Sequence, residues 1–318
     1  MQNLDGSAPV ADITRLKNLS KFVNKRRFNY GKKMISQVGI FYSLETRYQK
    51  GMCYNQRQST KALQGAMNAI IDLGYTVDMI LEYKLDEISK YRMVVVPEWE
   101  LMSDAVKEKL KKYAKDGGKL LIIGKELTSQ MTGANMSETE KYIKDKTGAF
   151  IKAGNVALLE GGSSSLYERA DLRYETENAG FKTDEIGSGS ITYIPFDLGS
   201  LYAKGSYYML RNFLDDVVKT LIDKKVTVNK KNIDVSLISD GDGVILNLLN
   251  QNKNNLGMGE ISVYDEVPEV YNVEIRVNGK FSSVTPLLDE AESIEIFEDY
   301  AIIKLHKLHI HTAFKLIK

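Results

Sequence analysis

The chain has 318 residues, with 43 Lys and Arg against 42 Asp and Glu, for a formal net charge of +1. So even a balance excludes a general electrostatic attraction to nucleic acid or anionic membrane, and 43% hydrophobic with 9% aromatic residues exclude wholesale disorder. One cysteine, Cys53, excludes an intrachain disulfide framework and a cysteine-built zinc cage, and the longest apolar runs are strand-length rather than membrane-length.

The first ten residues, MQNLDGSAPV, lack the basic flank and apolar stretch of a signal peptide. Residues Ile13–Tyr30 place Leu16, Leu19, Phe22 and Val23 on one face of a helix with Lys and Arg opposite. Such a helix either covers the domain that follows or meets a domain that precedes it. Val38–Ser43 then reads as a strand and Ser59–Leu73 as a helix stopped by Gly74. Val77–Leu81 is a strand, followed by a short helical piece and the strand Met93–Pro97 (MVVVP). Ser103 caps a helix with the apolar stripe Val106, Leu110, Tyr113 and Ala114, and Gly117-Gly118 stop it before the strand Lys119–Ile123 (KLLII). A helix is predicted near Ser137–Lys146, strands at Asn155–Leu159 and Ser190–Pro195, and a last helix near Gly205–Leu221. Strands separated by helices, with apolar runs that do not alternate, predict a doubly wound parallel sheet in flavodoxin-like order.

After Lys224 the rhythm changes. Short runs at Val235–Ile238, Val244–Leu249, Val273–Val277, Ile294–Phe297, Ala301–Leu305 and Ala313–Ile317 are separated by turn signals such as Asp240-Gly241-Asp242-Gly243 and Asn252–Asn255. This predicts a small antiparallel β-sandwich. The expected organisation is a lead-in helix over 1–32, an α/β domain over 33–224 and the sandwich over 225–318.

In an open α/β sheet, ligands bind beyond the carboxyl ends of the strands. Those ends carry Glu45 beside Tyr42, then Glu98-Trp99-Glu100 after MVVVP, and Gly124-Lys125-Glu126 after KLLII. Tyr42, Glu45, Glu98, Trp99, Glu100, Lys125 and Glu126 are therefore the candidate residues for a binding crevice or an interface. Paired carboxylates around the lone tryptophan suit sugar binding or proton transfer. The plainer reading is a polar loop in which Trp99 packs on a neighbouring element or a partner subunit.

No catalytic residue is assigned. The turn at Ile122–Glu126 is where α/β hydrolases and amidotransferases carry a Cys or Ser nucleophile with a base nearby. Here it offers Gly, Lys and Glu, and all three histidines lie between His306 and His311. Cys53 reads as a spare cysteine in a loop. No metal or cofactor is expected either: Asp240–Gly243 lacks the later Glu of a calcium loop, and His309-Ile310-His311 has no third Cys or His ligand to call on. Gly161–Ser165 reads as a flexible loop without the lysine of a phosphate-binding loop.

The run Tyr91–Gly124 resembles the central segment of the β-galactosidase trimerisation domain: a strand ending in Pro97, a helix capped at Ser103-Asp104, the turn Gly117-Gly118 and a strand ending in Gly124. The lead-in with Phe22 and Lys25-Arg26-Arg27, the late strand within Gly189–Gly199, the closing helix at Arg211–Leu214 and the β tail with Val244–Asn250, Val267-Pro268 and His309–His311 resemble neighbouring parts of the same architectures. The resemblance implies a class I glutamine amidotransferase-like α/β fold and a place behind the catalytic (β/α)₈ barrel of a bacterial protein; the sequence does not choose between cytoplasm and periplasm. A glycosidase of that kind needs two barrel carboxylates, so the chain is expected to be the non-catalytic C-terminal portion of a larger glycoside hydrolase-like protein, a possible homo-oligomer with an upstream barrel as partner. Two other classes stand beside it: a small hydrolase or amidotransferase-like enzyme using the strand-end crevice, and a free-standing carbohydrate-binding protein with Trp99, Tyr42 and Tyr48 as stacking platforms.

Overall fold

The computed structural model describes residues 7, 9–49, 58–145, 147–168, 171–205, 207–251 and 267–318. Cys53 and the turn Asn252–Asn255 lie outside them, as does the side chain of Tyr48. The chain forms two compact units, Ser36–Val235, and Met1–Ile35 together with Ser236–Lys318.

The lead-in helix α1 spans Val10–Asn24. The unit Ser36–Val235 then runs β1 (Val38–Tyr42), α2 (Leu44–Gln49), α3 (Gln58–Asp72), β2 (Val77–Leu81), a 3-10 segment (Glu82–Lys90), β3 (Met93–Pro97), α4 (Asp104–Lys115), β4 (Lys119–Ile123) and α5 (Lys125–Thr132). It continues with β5 (Lys141–Lys144), β6 (Phe150–Gly154), β7 (Ser163–Glu168), β8 (Asp171–Ile186), β9 (Gly189–Ile194), α6 (Leu198–Gly205), α7 (Tyr208–Val218) and β10 (Val226–Val228).

Strands β1 to β9 form a nine-stranded sheet in the order β2-β1-β3-β4-β9-β8-β7-β5-β6. β2, β1, β3, β4 and β9 are parallel neighbours, and every pairing from β9 outward to β6 is antiparallel. The sheet is mixed. The flavodoxin-like, doubly wound parallel sheet of amidotransferase type expected from the sequence is therefore incorrect. The departure lies between β4 and β9, where hairpins replace helical crossovers. The helix expected at 137–146 is strand β5, the strand expected at 155–159 contributes only the bridge Met136–Ala157, and the supposed loop at 161–165 opens β7. The physical reason is solvent: β6 and β7 leave most of their residues exposed or half-exposed, so they lack the continuous apolar run that marks a buried parallel strand.

The parallel half is where the core sits. β1 and β3 are buried at every residue, and β4 at all but Lys119. α4 begins at Ser103, whose hydroxyl accepts the Val106 N–H at 3.4 Å, and buries Val106, Leu110, Tyr113 and Ala114 against β4 and β9. α3 packs on β1, β2 and β3 and also crosses α6 and α7. The α3–α6 crossing is close because two glycines meet there. A Cβ on Gly65 would lie 1.9 Å from the Gly199 carbonyl oxygen, and one on Gly199 would lie 2.4 Å from that of Ala62. The helix expected near 205–221 is α7; α6, which precedes it and was not expected, is the one seated on α3.

In the other unit the strands are β11 (Ile233–Asp240), β12 (Gly243–Asn250), β13 (Val270–Asn278), β14 (Ser283–Pro286), β15 (Ser293–Ile296), β16 (Tyr300–Leu308) and β17 (His311–Ile317). They make antiparallel sheets, one with β13, β16 and β15 side by side, the other in the order β11-β12-β17-β14. Val273, Ile275 and Val277 on β13 alternate with exposed residues, as a half-solvated sheet requires. Asp240–Gly243 is the hairpin turn between β11 and β12, with Gly241 at φ +59.

The segment after α1 is tied to these strands. Lys32 pairs with Asp240 at 2.5 Å and Asn29 exchanges amide hydrogen bonds with Asn247. Arg26 Nε–H donates to His311 Nδ1 at 2.8 Å. A nitrogen that accepts carries no proton, so His311 Nε2 is the protonated one and donates to Asn247 Oδ1 at 3.1 Å. Burial first, and then the Arg26 charge, hold the His311 pKa below its ordinary value, in keeping with a neutral ring. His309 offers its backbone carbonyl to Asn250. These histidines are structural, and among the described residues no group of three His, Cys, Asp or Glu side chains is placed to hold a metal.

Candidate functional site

Register brings the strand ends into one row. Pro97 stands opposite Ile123, and Ile123 opposite Ile194. The next residues are tied across the row: Glu98 N–H donates to the Ile123 carbonyl at 2.6 Å and Gly124 N–H to that of Ile194 at 3.0 Å. Both turns need positive φ, +118° at Gly124 and +48° at Glu98. For glutamate this conformation costs on the order of 1 kcal/mol or more, so surrounding contacts must hold it. Gly124 is part of that surround, since a Cβ there would sit 2.9 Å from the Glu98 Cα.

The Glu98 carboxylate faces the amino end of α6. Its Oε1 accepts the Ser200 N–H at 2.9 Å, its Oε2 accepts the Ser200 hydroxyl, and the Gly199 N–H also points to it. A carboxylate at a helix amino terminus satisfies otherwise orphaned N–H groups and meets the positive end of the helix dipole. Here all four groups of the first turn are accounted for, because Leu198 N–H bonds Phe196 O and Leu201 N–H bonds Asp197 O. Burial is nevertheless the larger effect on the acid. With help from the Asp197 charge, it raises the Glu98 pKa to about 7 against the hydrogen bonds that lower it. Asp197 in turn pairs with Lys125, Nζ to Oδ2 at 3.2 Å, and accepts the Lys125 N–H at 3.3 Å.

The other predicted residues divide between core and rim. Trp99 is 3% exposed, and its indole N–H donates to the Phe41 carbonyl at 2.7 Å. Tyr42 is 6% exposed and meets Trp99 edge to face, with ring centroids 5.5 Å apart. Neither ring is available to stack on a sugar, so the platform expected there is corrected. Glu45 lies in the first turn of α2, whose N–H groups at Leu44 and Glu45 point to Glu82 Oε2 at 2.8 and 3.4 Å. Glu100 and Glu126 are exposed. Of the seven candidates, Glu98 and Lys125 converge, and they do so through Asp197, Gly199 and Ser200. Those three follow β9, at a fourth strand end that was legible as a strand but was not read as part of the crevice.

What this arrangement can do chemically is limited. Neither strand-end turn presents a thiol or hydroxyl nucleophile, the Ser200 hydroxyl is bonded to Glu98, and α6 has no first-turn N–H left to receive an oxyanion. Its hydrogen bonds hold β3, β4, β9 and α6 together.

Comparison with known proteins gives part of this architecture a family match. Residues 36–150 match the family model described as the beta-galactosidase trimerisation domain. That segment is similar to the trimerisation domain of this family. The chain is also 22% identical over 244 residues to beta-galactosidase BgaA of Clostridium cellulovorans, covering 69% of this chain and 36% of BgaA. Among solved structures, alpha-L-fucosidase isoenzyme 2 from Paenibacillus thiaminolyticus superposes with a TM-score of 0.74 at 15% identity, over 94% of this chain and 51% of that one. The GH42 beta-galactosidase Gan42B from G. stearothermophilus superposes with a TM-score of 0.64 at 13% identity, over 100% of this chain and 45% of that one. The chain thus spans about a third of the curated relative and about half of these structural relatives. The structural likenesses establish a shared fold. The described residues build no (β/α)₈ barrel. No described helix is long and apolar enough to cross a membrane.

Proposed function

We propose that this chain is the accessory and oligomerisation region of a glycoside hydrolase-like protein and turns over no substrate by itself. The observation that carries the reading is the match of residues 36–150 to the trimerisation domain. The strand-end geometry supports it, because the acid best placed for chemistry, Glu98, is committed to the amino end of α6. The relatives named beta-galactosidase and alpha-L-fucosidase point to a glycoside as the substrate of the whole protein, with the reaction performed by an accompanying (β/α)₈ barrel that supplies the two carboxylates.

A surface for association is also on view. Leu16, Leu19, Phe22 and Val23 of α1 are 62, 58, 40 and 54% exposed, with the Arg26 guanidinium lying over the Phe22 ring at 3.3 Å. Contiguous apolar surface of this kind marks interaction sites. The chain should show no turnover above buffer on aryl glycosides, esters or amides. Turnover that is abolished in Glu98→Gln, Glu100→Gln or Ser200→Ala would establish a strand-end enzyme and contradict the proposal.

A further inference from the structure

Beside the Glu98 network lies a groove of about 820 Å³, bounded by β6 on one side and by α6 with the start of α7 on the other. Its rim is aromatic. Phe150, Tyr207 and Tyr208 are 51, 48 and 51% exposed, although rings of this size are ordinarily buried. Each is held in place. Phe150 meets Tyr142 edge to face at 6.0 Å, Tyr208 donates its hydroxyl to Asp145 at 3.3 Å, and Tyr207 lies so close over Gly205 that a Cβ there would come within 2.7 Å of its ring. The polar lining carries Lys125 paired with Asp197, Lys152 paired with Glu140, and Lys204.

We propose that this groove binds a short saccharide, with pyranose faces laid on Phe150, Tyr207 and Tyr208 and hydroxyl or carboxylate groups held by Lys204. Three features favour this occupant. A concave site of this volume falls in the range of about 300–1,000 Å³ typical for small molecules, whereas a protein partner calls for a broad surface of roughly 800 Å² a side. Rings fixed before the ligand arrives cost little ordering entropy when it stacks on them. A pyranose offers an apolar C–H face and a polar rim, which matches aromatic rings bordered by lysine heads. The site is separate from the buried Trp99 and Tyr42, and it is independent of the oligomerisation reading.

The experiment is an NMR titration of the full chain with β-1,4-galactobiose, lactose and digalacturonate, following the backbone amides of 150–154 and 204–209. The expected result is saturable shifts with at least one of these sugars in the millimolar range, weakened about tenfold in Phe150→Ala and in Tyr208→Ala and unchanged in Tyr83→Ala, an exposed tyrosine on the 3-10 segment. Preference for digalacturonate marks an acidic sugar as the ligand, and equal binding a neutral one. Absence of shifts at these amides with all three sugars overturns the proposal. So does a fall in molecular mass of Phe150→Ala and Tyr208→Ala by light scattering without any sugar response, since the aromatic rim is then a subunit contact.

Discussion

Gly65→Ala is expected to destabilise the unit Ser36–Val235 by about 3 kcal/mol or more. The added methyl would lie 1.9 Å from the Gly199 carbonyl oxygen and 2.8 Å from the Ala203 nitrogen. Both are backbone atoms of α6, so no rotamer change relieves the overlap and the two helices must separate. Separation also pulls Ser200 away from Glu98, because Ser200 rides on α6. The measurement is thermal or denaturant unfolding beside Gly148→Ala, where φ is +87° but nothing lies within 4 Å. That control should lose only about 1–2 kcal/mol from the left-handed backbone. Equal losses in the two variants would show that the α3–α6 crossing is not the constraint described.

The second large effect is a pH dependence centred on Glu98. Its pKa in the folded chain is raised from the ordinary 4.5 to about 7, chiefly by burial. Below 4.5 the group is protonated in both folded and unfolded chains. Between 4.5 and 7 the folded chain keeps a proton that the unfolded chain releases, so stability falls as pH rises through this window, by about 3 kcal/mol in total. Glu98→Gln, which cannot ionise, should remove that slope and leave the variant more stable than the wild type above pH 7 relative to their difference at pH 4. Denaturant midpoints measured across this range test it. Parallel profiles for the two proteins would mean that Glu98 is not desolvated by the strand-end turn.

The contrast between these sites and the rest of the molecule shows what could be read from residues alone. β3 and β4 were legible because MVVVP and KLLII are buried on both faces and carry no competing pattern. α4 was legible because Ser103, the stripe Val106–Ala114 and Gly117-Gly118 agree on one helix. β8 was not. Its residues, DLRYETENAGFKTDEI, are rich in charge and contain a glycine, and what makes them a strand is pairing with β7 and β9 rather than propensity. The mixed sheet follows from that segment together with β5, β6 and β7.

The site divides in the same way. Glu98 and Lys125 could be suspected from their place after apolar strands. Their partners Asp197, Gly199 and Ser200 come roughly a hundred residues after Glu98 and join it only through the register of β3, β4 and β9. Trp99 and Tyr42 carried the opposite hazard. An aromatic at a strand end reads as a contact surface, but the Phe41 carbonyl gives the indole N–H a buried partner and the ring becomes core. Among the rings that do reach solvent, Phe150 stands on an edge strand that the residue pattern did not show, and Tyr207 and Tyr208 stand at the junction of α6 and α7.

The central claim is that this is an associating accessory region, and light scattering of the full chain over a concentration series tests it most directly. The expected result is a mass above that of one chain that falls on dilution, and a shift toward monomer in Phe22→Asp, which places a charge in the exposed stripe of α1. A monomer at every concentration, with Phe22→Asp indistinguishable from the wild type in mass and stability, would contradict it.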